Sequence, residues 1–234
     1  MNLFEKDGVD YALDELSKLV EKYLGFHISG QSRSGTRIEP RIAESNIELQ
    51  KAGYLFKEQY EFFHITTMEN LFSILNSRNI RLYNLNNSSD EKEYFHAGER
   101  TGLLSNEMIS RLKDYVHIFS FCPISSLSDN YMWDTYGGSG YKGVSICFRI
   151  CNDPLKWENY HLSKIRYDDF ERFDEFKKAF HQFRGKYSFV EQYIDLSRIL
   201  PFHKSLEFVA ENEVRLLFYP RFNHVQLENY THYE

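Results

Sequence analysis

The chain has 234 residues, with 28 Lys and Arg against 34 Asp and Glu, a formal net charge of −6. That balance excludes a broadly basic nucleic-acid wrapper, and a hydrophobic content of 42% with 20 Phe and 17 Tyr excludes a disordered chain. These side chains predict a large aromatic core, in one domain with a smaller appendage.

Residues 1–10 mix charge with apolar side chains, and no stretch approaches the ~18 apolar residues of a membrane helix. The expectation is a cytoplasmic protein with no export signal and no membrane partner. Cys122, Cys147 and Cys151 match neither a zinc knuckle nor a redox pair and read as buried small hydrophobes. No His-Glu-x-x-His and no Gly-x-Ser-x-Gly occurs, so no metal centre and no serine-hydrolase elbow are expected.

In chain order, Val9, Leu13, Leu16, Val20 and Leu24 recur at steps of three and four, which predicts an amphipathic helix that packs on another element. Residues 26–41 are rich in Ser, Gly and Arg and read as a loop, and Pro40 suits the first turn of a second helix running towards Tyr54. A boundary near residue 55 separates this amino-terminal helical extension, 1–55, from a main domain, 56–234. Residues 60–66 predict a strand, and Thr66 with Glu69 a capping box that opens a helix whose buried face is Leu71, Ile74 and Leu75. Asn79 reads as its left-handed stop, residues 80–85 as a half-buried strand, and Ser88 with Glu91 as a second capping box. Further strands are expected at 115–121, 143–150, 163–167 and 213–219, with a turn at Gly137–Gly140. Phe173, Phe176, Phe180, Phe183 and Tyr187 recur with helical period and predict a long helix with an inward aromatic seam, leaving Lys177, Lys178, Arg184 and Lys186 on its other side.

Three groups can carry chemistry, each beside a plainer reading. His64 at a strand end next to a helix start can hydrogen-bond a ribose or phosphate, or be a satisfied core histidine. Trp133 and Tyr136, three apart on one helical turn, can stack on a planar heterocycle, or form an aromatic corner of the core. Glu211, Glu213 and Arg215 would share one face of a strand, where they can hold a sugar hydroxyl and stabilise positive charge, or form a solvated charge ladder.

Phe63-His64-Ile65-Thr66, Asn70-Leu71, Ile74-Leu75 and Leu82-Tyr83 together resemble the opening of the ADP-ribosyltransferase fold, in the branch whose first strand carries His-x-Thr. Asp90 and Glu93, Phe119-Ser120, Met132-Trp133-x-x-Tyr136, Lys142-Gly143-Val144, Lys164 to Tyr167 and Glu211-x-Glu213-x-Arg215 resemble, in order and spacing, a bacterial family catalogued as domain of unknown function 2971. The resemblance covers about residues 60–220, with Ser89 and Glu91 departing from the family's usual Asn and Pro.

What the resemblance implies is an α+β fold, an ADP-ribosyltransferase-like split antiparallel β-sandwich with flanking helices, following an amino-terminal helical segment. NAD, as substrate or cofactor, would lie in the cleft of the histidine-tyrosine-glutamate type. There His64 would hold a ribose, Tyr83 or Tyr94 with Trp133 and Tyr136 would line the nicotinamide, and Thr66 and Ser120 would complete the binding set. Glu213 would contact the nicotinamide ribose, Glu211 would orient or deprotonate the acceptor, and Arg215 would hold a phosphate or pair with Glu211 or Asp90. The implied activity is transfer of ADP-ribose to a protein or nucleic acid, by a bacterial toxin or phage-defence effector. An NAD hydrolase and a non-catalytic nucleotide-binding module on the same scaffold are the alternatives. The amino-terminal helices are expected to regulate the cleft or bind a partner through their amphipathic face.

Overall fold

The computed structural model describes residues 3–28, 30–34, 37–41, 46–55, 61–87, 116–138, 142–150, 159–167, 171–188 and 198–218, with positions 98, 100, 109, 110, 113, 114, 191, 192 and 196. The helices are α1 (Leu3–Leu24), α2 (Asn46–Lys51), α3 (Met68–Ser77), α4 (Asn130–Tyr136) and α5 (Glu171–Lys186). The strands are β1 (Gly30–Ser34), β2 (Arg37–Arg41), β3 (Glu61–Thr66), β4 (Tyr83–Asn84), β5 (His117–Pro123), β6 (Val144–Arg149), β7 (Tyr160–Lys164), β8 (Arg166–Tyr167), β9 (Glu191–Gln192), β10 (His203–Lys204) and β11 (Val214–Phe218). The architecture is α+β. Among the described residues no helix is long and apolar enough to cross a membrane.

Two helices built on a 3.6-residue apolar period supply the larger core. Val9, Ala12, Leu16, Val20 and Leu24 of α1 are buried in one cluster with Phe173, Phe176, Phe180 and Phe183 of α5. Phe176 and Phe180 stack at 5.6 Å between centroids, and Phe180 and Phe183 at 6.1 Å. The amphipathic face of α1, expected to serve a regulatory partner, is thus covered by α5 within the chain.

The main sheet runs β6-β3-β5-β11-β7, with β4 paired to β5, and its ladders are antiparallel. Period-two alternation sorts its side chains. Phe62, Phe119, Phe121, Leu162 and Val214 cluster on one face, while Phe63, Ile65 and Cys122 meet Met132 of α4 on the other. Leu217, also on that second side of β11, joins the α1–α5 core. β3 pairs with β6 at six positions but with β5 only at Phe62↔Pro123 and Phe63↔Cys122, after which β3 and β5 part.

Several local expectations are corrected. Residues 30–41 form an antiparallel hairpin, β1 with β2, rather than a loop, and Pro40 pairs with Gln31 instead of opening a helix. Polar Gln-Ser-Arg-Ser carries no alternating apolar signal that would have announced it. The cap of α3 is Thr67, whose side chain accepts from Asn70 N at 3.2 Å, and the left-handed residue after it is Arg78 (φ 57°), not Asn79. Leu75 is 61% exposed and no residue of α3 is buried, because α3 meets the sheet beside β6, its edge strand. Of residues 80–85 only Tyr83 and Asn84 pair as strand. Cys122 is buried, but Cys147 on β6 is exposed rather than a core hydrophobe. Asp90, Tyr94, Glu93, the Ser88–Glu91 box and Cys151 lie outside the described residues.

Candidate active site

The parting of β3 from β5 opens a pocket of about 240 Å³. Its walls include His64, Tyr83, Ser120, Tyr136, Glu211, Glu213 and Arg215, seven of the eleven residues singled out from the sequence. Phe63, Ile65, Phe119, Phe121 and Met132 add apolar surface.

His64 stands just past the last β3–β5 pair, where its Nδ1 lies 3.0 Å from the Ser120 carbonyl. A carbonyl only accepts, so Nδ1 carries the hydrogen and Nε2 is the acceptor nitrogen. Burial pushes the ring's pKa down, against the Ser120 bond, which keeps the imidazole neutral near pH 7. Its ring lies 4.4 Å from that of Phe119.

Helix α4 is capped by Asp129, whose carboxylate accepts from Tyr131 N at 2.9 Å. At its other end Gly137 donates to the Trp133 carbonyl at 2.8 Å and comes so close to Gly143 that a Cβ on Gly143 would stand 2.6 Å from the Gly137 Cα. This close approach sets the exit of α4 immediately after Tyr136. The Tyr136 hydroxyl donates to Glu211 Oε1 at 2.6 Å. Burial and that bond push its pKa up, so it remains a protonated donor. Trp133, expected on the same face, turns away from the pocket, donating Nε1–H to the Leu127 carbonyl at 2.7 Å and packing on the Phe63–Cys122 cluster. Thr66 likewise stays outside the pocket wall, accepting from Asn70 Nδ2 at 3.2 Å.

Glu211 and Glu213 do not reach the pocket along one strand. Glu211 ends a 3₁₀ segment, Leu206–Glu211, and Asn212 adopts a left-handed conformation (φ 45°, ψ 45°) before β11 begins. Asn is among the few side chains that tolerate this region. The reversal aims both carboxylates at one point. All three charged residues are buried, at 6%, 3% and 1% exposure for Glu211, Glu213 and Arg215, which overturns the solvated-ladder reading.

What holds them there is Lys204 of β10, which the sequence reading missed. Its Nζ donates to Glu211 Oε2 at 2.7 Å and to Glu213 Oε2 at 3.0 Å. Arg215 Nε donates to Glu213 Oε1 at 2.8 Å and Nη2 to Oε2 at 3.0 Å, so Arg215 pairs with Glu213 rather than Glu211. Arg215 Nη1 donates to the Pro201 carbonyl, and Ser120 Oγ donates to Glu213 Oε1. Burial pushes the Glu213 carboxyl up, but Arg215 and Lys204, helped by the Arg215 and Ser120 hydrogen bonds, outweigh it and hold the pKa at about 2. Tyr167 adds a backbone anchor, its hydroxyl accepting from Glu213 N at 2.9 Å. The signal that could have exposed Lys204 is its place beside the buried run Ile199, Leu200, Pro201 and Phe202, since a lysine there needs a carboxylate. Among the described residues no cluster of His, Cys, Asp and Glu could hold a metal ion.

Residues 132–216 match the family described as protein of unknown function, DUF2971. The resemblance to that family is therefore borne out over this stretch, just over a third of the chain. The DUF2971 segment runs from α4 into β11 and contains Tyr136, Lys204, Glu211, Glu213 and Arg215, while His64, Tyr83 and Ser120 come from outside it. No curated protein and no solved structure matches the chain.

Proposed function

We propose that this protein is an ADP-ribosyltransferase-like enzyme that uses NAD and transfers ADP-ribose to a protein or nucleic-acid acceptor. The observation that carries the reading is the convergence of His64, Tyr83, Tyr136, Glu211 and Glu213 on one pocket at the split of the sheet. The pocket volume is below the roughly 300–1,000 Å³ that encloses a drug-sized ligand, so its contents would be the nicotinamide–ribose end and not the whole dinucleotide. Its composition suits that end. Phe119, Met132 and Tyr83 offer apolar and aromatic surface to a flat ring, and His64 Nε2 offers an acceptor to a sugar hydroxyl.

Bound NAD would supply a ribose–nitrogen bond whose breaking builds positive charge on the sugar. Buried carboxylates held in place before the reaction stabilise such charge without reorganising, which favours the transition state over the ground state. Glu211 and Glu213 provide them, and Lys204, Arg215 and Ser120 hold them in position.

Incubation of the purified protein with NAD labelled in its adenylate half, with and without cell lysate, tests the reading. Nicotinamide release with label on a macromolecule is expected; free ADP-ribose as the sole product would make the protein an NAD hydrolase. No nicotinamide release under either condition would sink the enzymatic reading. A nucleotide-binding module without turnover is the second reading, favoured by the pairing of both carboxylates with Lys204 and Arg215, and it predicts NAD binding that Glu211→Gln leaves intact.

A further inference from the structure

The ladder between β8 and β10 has two rungs, His203↔Arg166 and Lys204↔Tyr167. The second rung serves the carboxylates. Lys204 donates to Glu211 and Glu213, and the Tyr167 hydroxyl accepts from Glu213 N. The first rung meets Tyr54, from the amino-terminal extension. The Tyr54 hydroxyl lies 3.1 Å from His203 Nε2, and the Arg166 guanidinium carbon stands 3.9 Å from the centroid of the Tyr54 ring.

Local causes put Tyr54 there. Beyond α2 the chain makes a left-handed turn at Gly53 (φ +79°), and Tyr54 N donates to the Leu49 carbonyl at 2.7 Å. A Cβ on Gly53 would stand 3.2 Å from Arg166 Nη2, so glycine leaves room for the guanidinium. Arg166 Nη2 donates to the Gly53 carbonyl at 3.0 Å and to the Ala52 carbonyl at 3.4 Å. Phe26 stacks on the Tyr54 ring at 5.7 Å, and Tyr54 is buried.

We infer that Tyr54 is a positioning residue for the pocket: by fixing His203 and Arg166 it sets where Lys204 and Tyr167 stand, and so makes residues 1–55 a fixed support of the carboxylate pair. A parallel ladder of two rungs has too few hydrogen bonds to hold its own place, so what packs against it decides its position. The two rungs are consecutive residues on both strands, and a displacement at Tyr54 reaches Lys204 and Tyr167 across one peptide unit. Lys204 has a flexible four-carbon stem, whose ordering on two carboxylates at once needs a backbone that does not move. The family segment, 132–216, contains both rungs but not Tyr54, so the support comes from outside it. The inference goes beyond ADP-ribosyl transfer and holds for any chemistry that uses the paired carboxylates.

Two rates in the full-length protein test it, acylation of Lys204 by acetic anhydride and hydrogen exchange at the Glu213 amide, both read by peptide mapping. The variants are Tyr54→Leu, Arg166→Met and, as a control for general destabilisation, Leu16→Ala, each held at the same interval below its own melting temperature. Leu16 belongs to the same core, but its neighbour Glu15 meets Tyr187 at one end of α5, whereas Phe173 meets His203 at the other, ~21 Å along the helix. Tyr54→Leu and Arg166→Met are expected to raise both rates about tenfold or more above those of Leu16→Ala, because the opening is local to the ladder. Rates for Tyr54→Leu no more than about threefold above the control would overturn the inference, and Arg166→Met decides by the same threshold if Tyr54→Leu does not fold. Neither readout requires turnover, so a wild type that releases no nicotinamide would sink the enzymatic reading and leave this result standing.

Discussion

Arg215 holds Glu213 by a two-pronged contact, Nε to Oε1 at 2.8 Å and Nη2 to Oε2 at 3.0 Å, from a position two residues further along the chain. Residues two apart on extended backbone share a face, so the pairing is dictated locally and needs only burial to become strong. Lysine offers a point charge in place of the planar fork and cannot reproduce it. Arg215→Met is expected to lower unfolding free energy by roughly 3–5 kcal/mol, with Arg215→Lys intermediate. Urea denaturation checks the ranking, and equal stability of the two variants would contradict the fork.

Glu213 also sets an acid limit. Its pKa, held at about 2, lies below the ordinary 4.5, so its contribution is fully present above pH 4.5 and is lost as pH falls through that window towards 2. The shift corresponds to roughly 3 kcal/mol. Stability measured from pH 6 to pH 2 is expected to fall less steeply for Glu213→Gln than for the wild type; parallel curves would refute the assignment.

His203 adds a second dependence on pH. It is buried, its Nε2 lies 3.1 Å from the Tyr54 hydroxyl, and its ring lies 4.6 Å from that of Phe173. Burial, with the positive charges of Arg166 and Arg172, lowers its pKa to about 3. Between about 3 and 6.5 the unfolded chain binds a proton that the native state does not, so stability rises with pH across that range and levels off above it. His203→Gln, which can keep a polar contact to Tyr54, is expected to flatten the slope between pH 6 and pH 4 in denaturant titrations.

The cysteines separate by chemistry. Cys122 lines the pocket, yet burial, with Glu213 and Glu211 nearby, pushes its thiol up to about 12. Cys147 is exposed. Iodoacetamide at pH 8 is expected to alkylate Cys147 and leave Cys122 unmodified in the folded protein, since the thiolate is the nucleophile. Peptide mapping before and after unfolding reads this out, and rapid labelling of native Cys122 would contradict it.

The docking of α1 on α5 is apolar. Leu16 is 1% exposed and Phe176 is not exposed at all. Leu16→Ala is expected to cost about 2–5 kcal/mol and Phe176→Ala about 3–5 kcal/mol. Thermal unfolding followed by circular dichroism measures both.

What could be read from the sequence depended on how local the cause was. The Phe173 to Tyr187 seam and the strands around Phe63, Phe119, Phe148 and Leu216 declare themselves by periods of 3.6 and 2. The β1–β2 hairpin and the two-residue strands β8 and β10 do not, because polar or very short segments carry no period. Glu211, Glu213 and Arg215 were visible as a motif, but whether that motif is solvated or buried is decided by Lys204, brought alongside by the β8–β10 pairing, and by Tyr136 from α4. Trp133 was misplaced for a related reason: a seven-residue helix gives its direction, and the Leu127 carbonyl, in the turn before it, decides which ring turns inward.

The seam between β3 and β5 is two register positions long, whereas β3 joins β6 over six and β11 joins β5 over five. The sheet is therefore two stiff plates riveted at Phe62–Pro123 and Phe63–Cys122, with His64 and Ser120 on opposite lips just beyond the last rivet. Beyond those two pairs the lips are joined by the His64 Nδ1 to Ser120 carbonyl hydrogen bond at 3.0 Å, so breaking that one contact would widen the pocket and leave the ladders on either side intact.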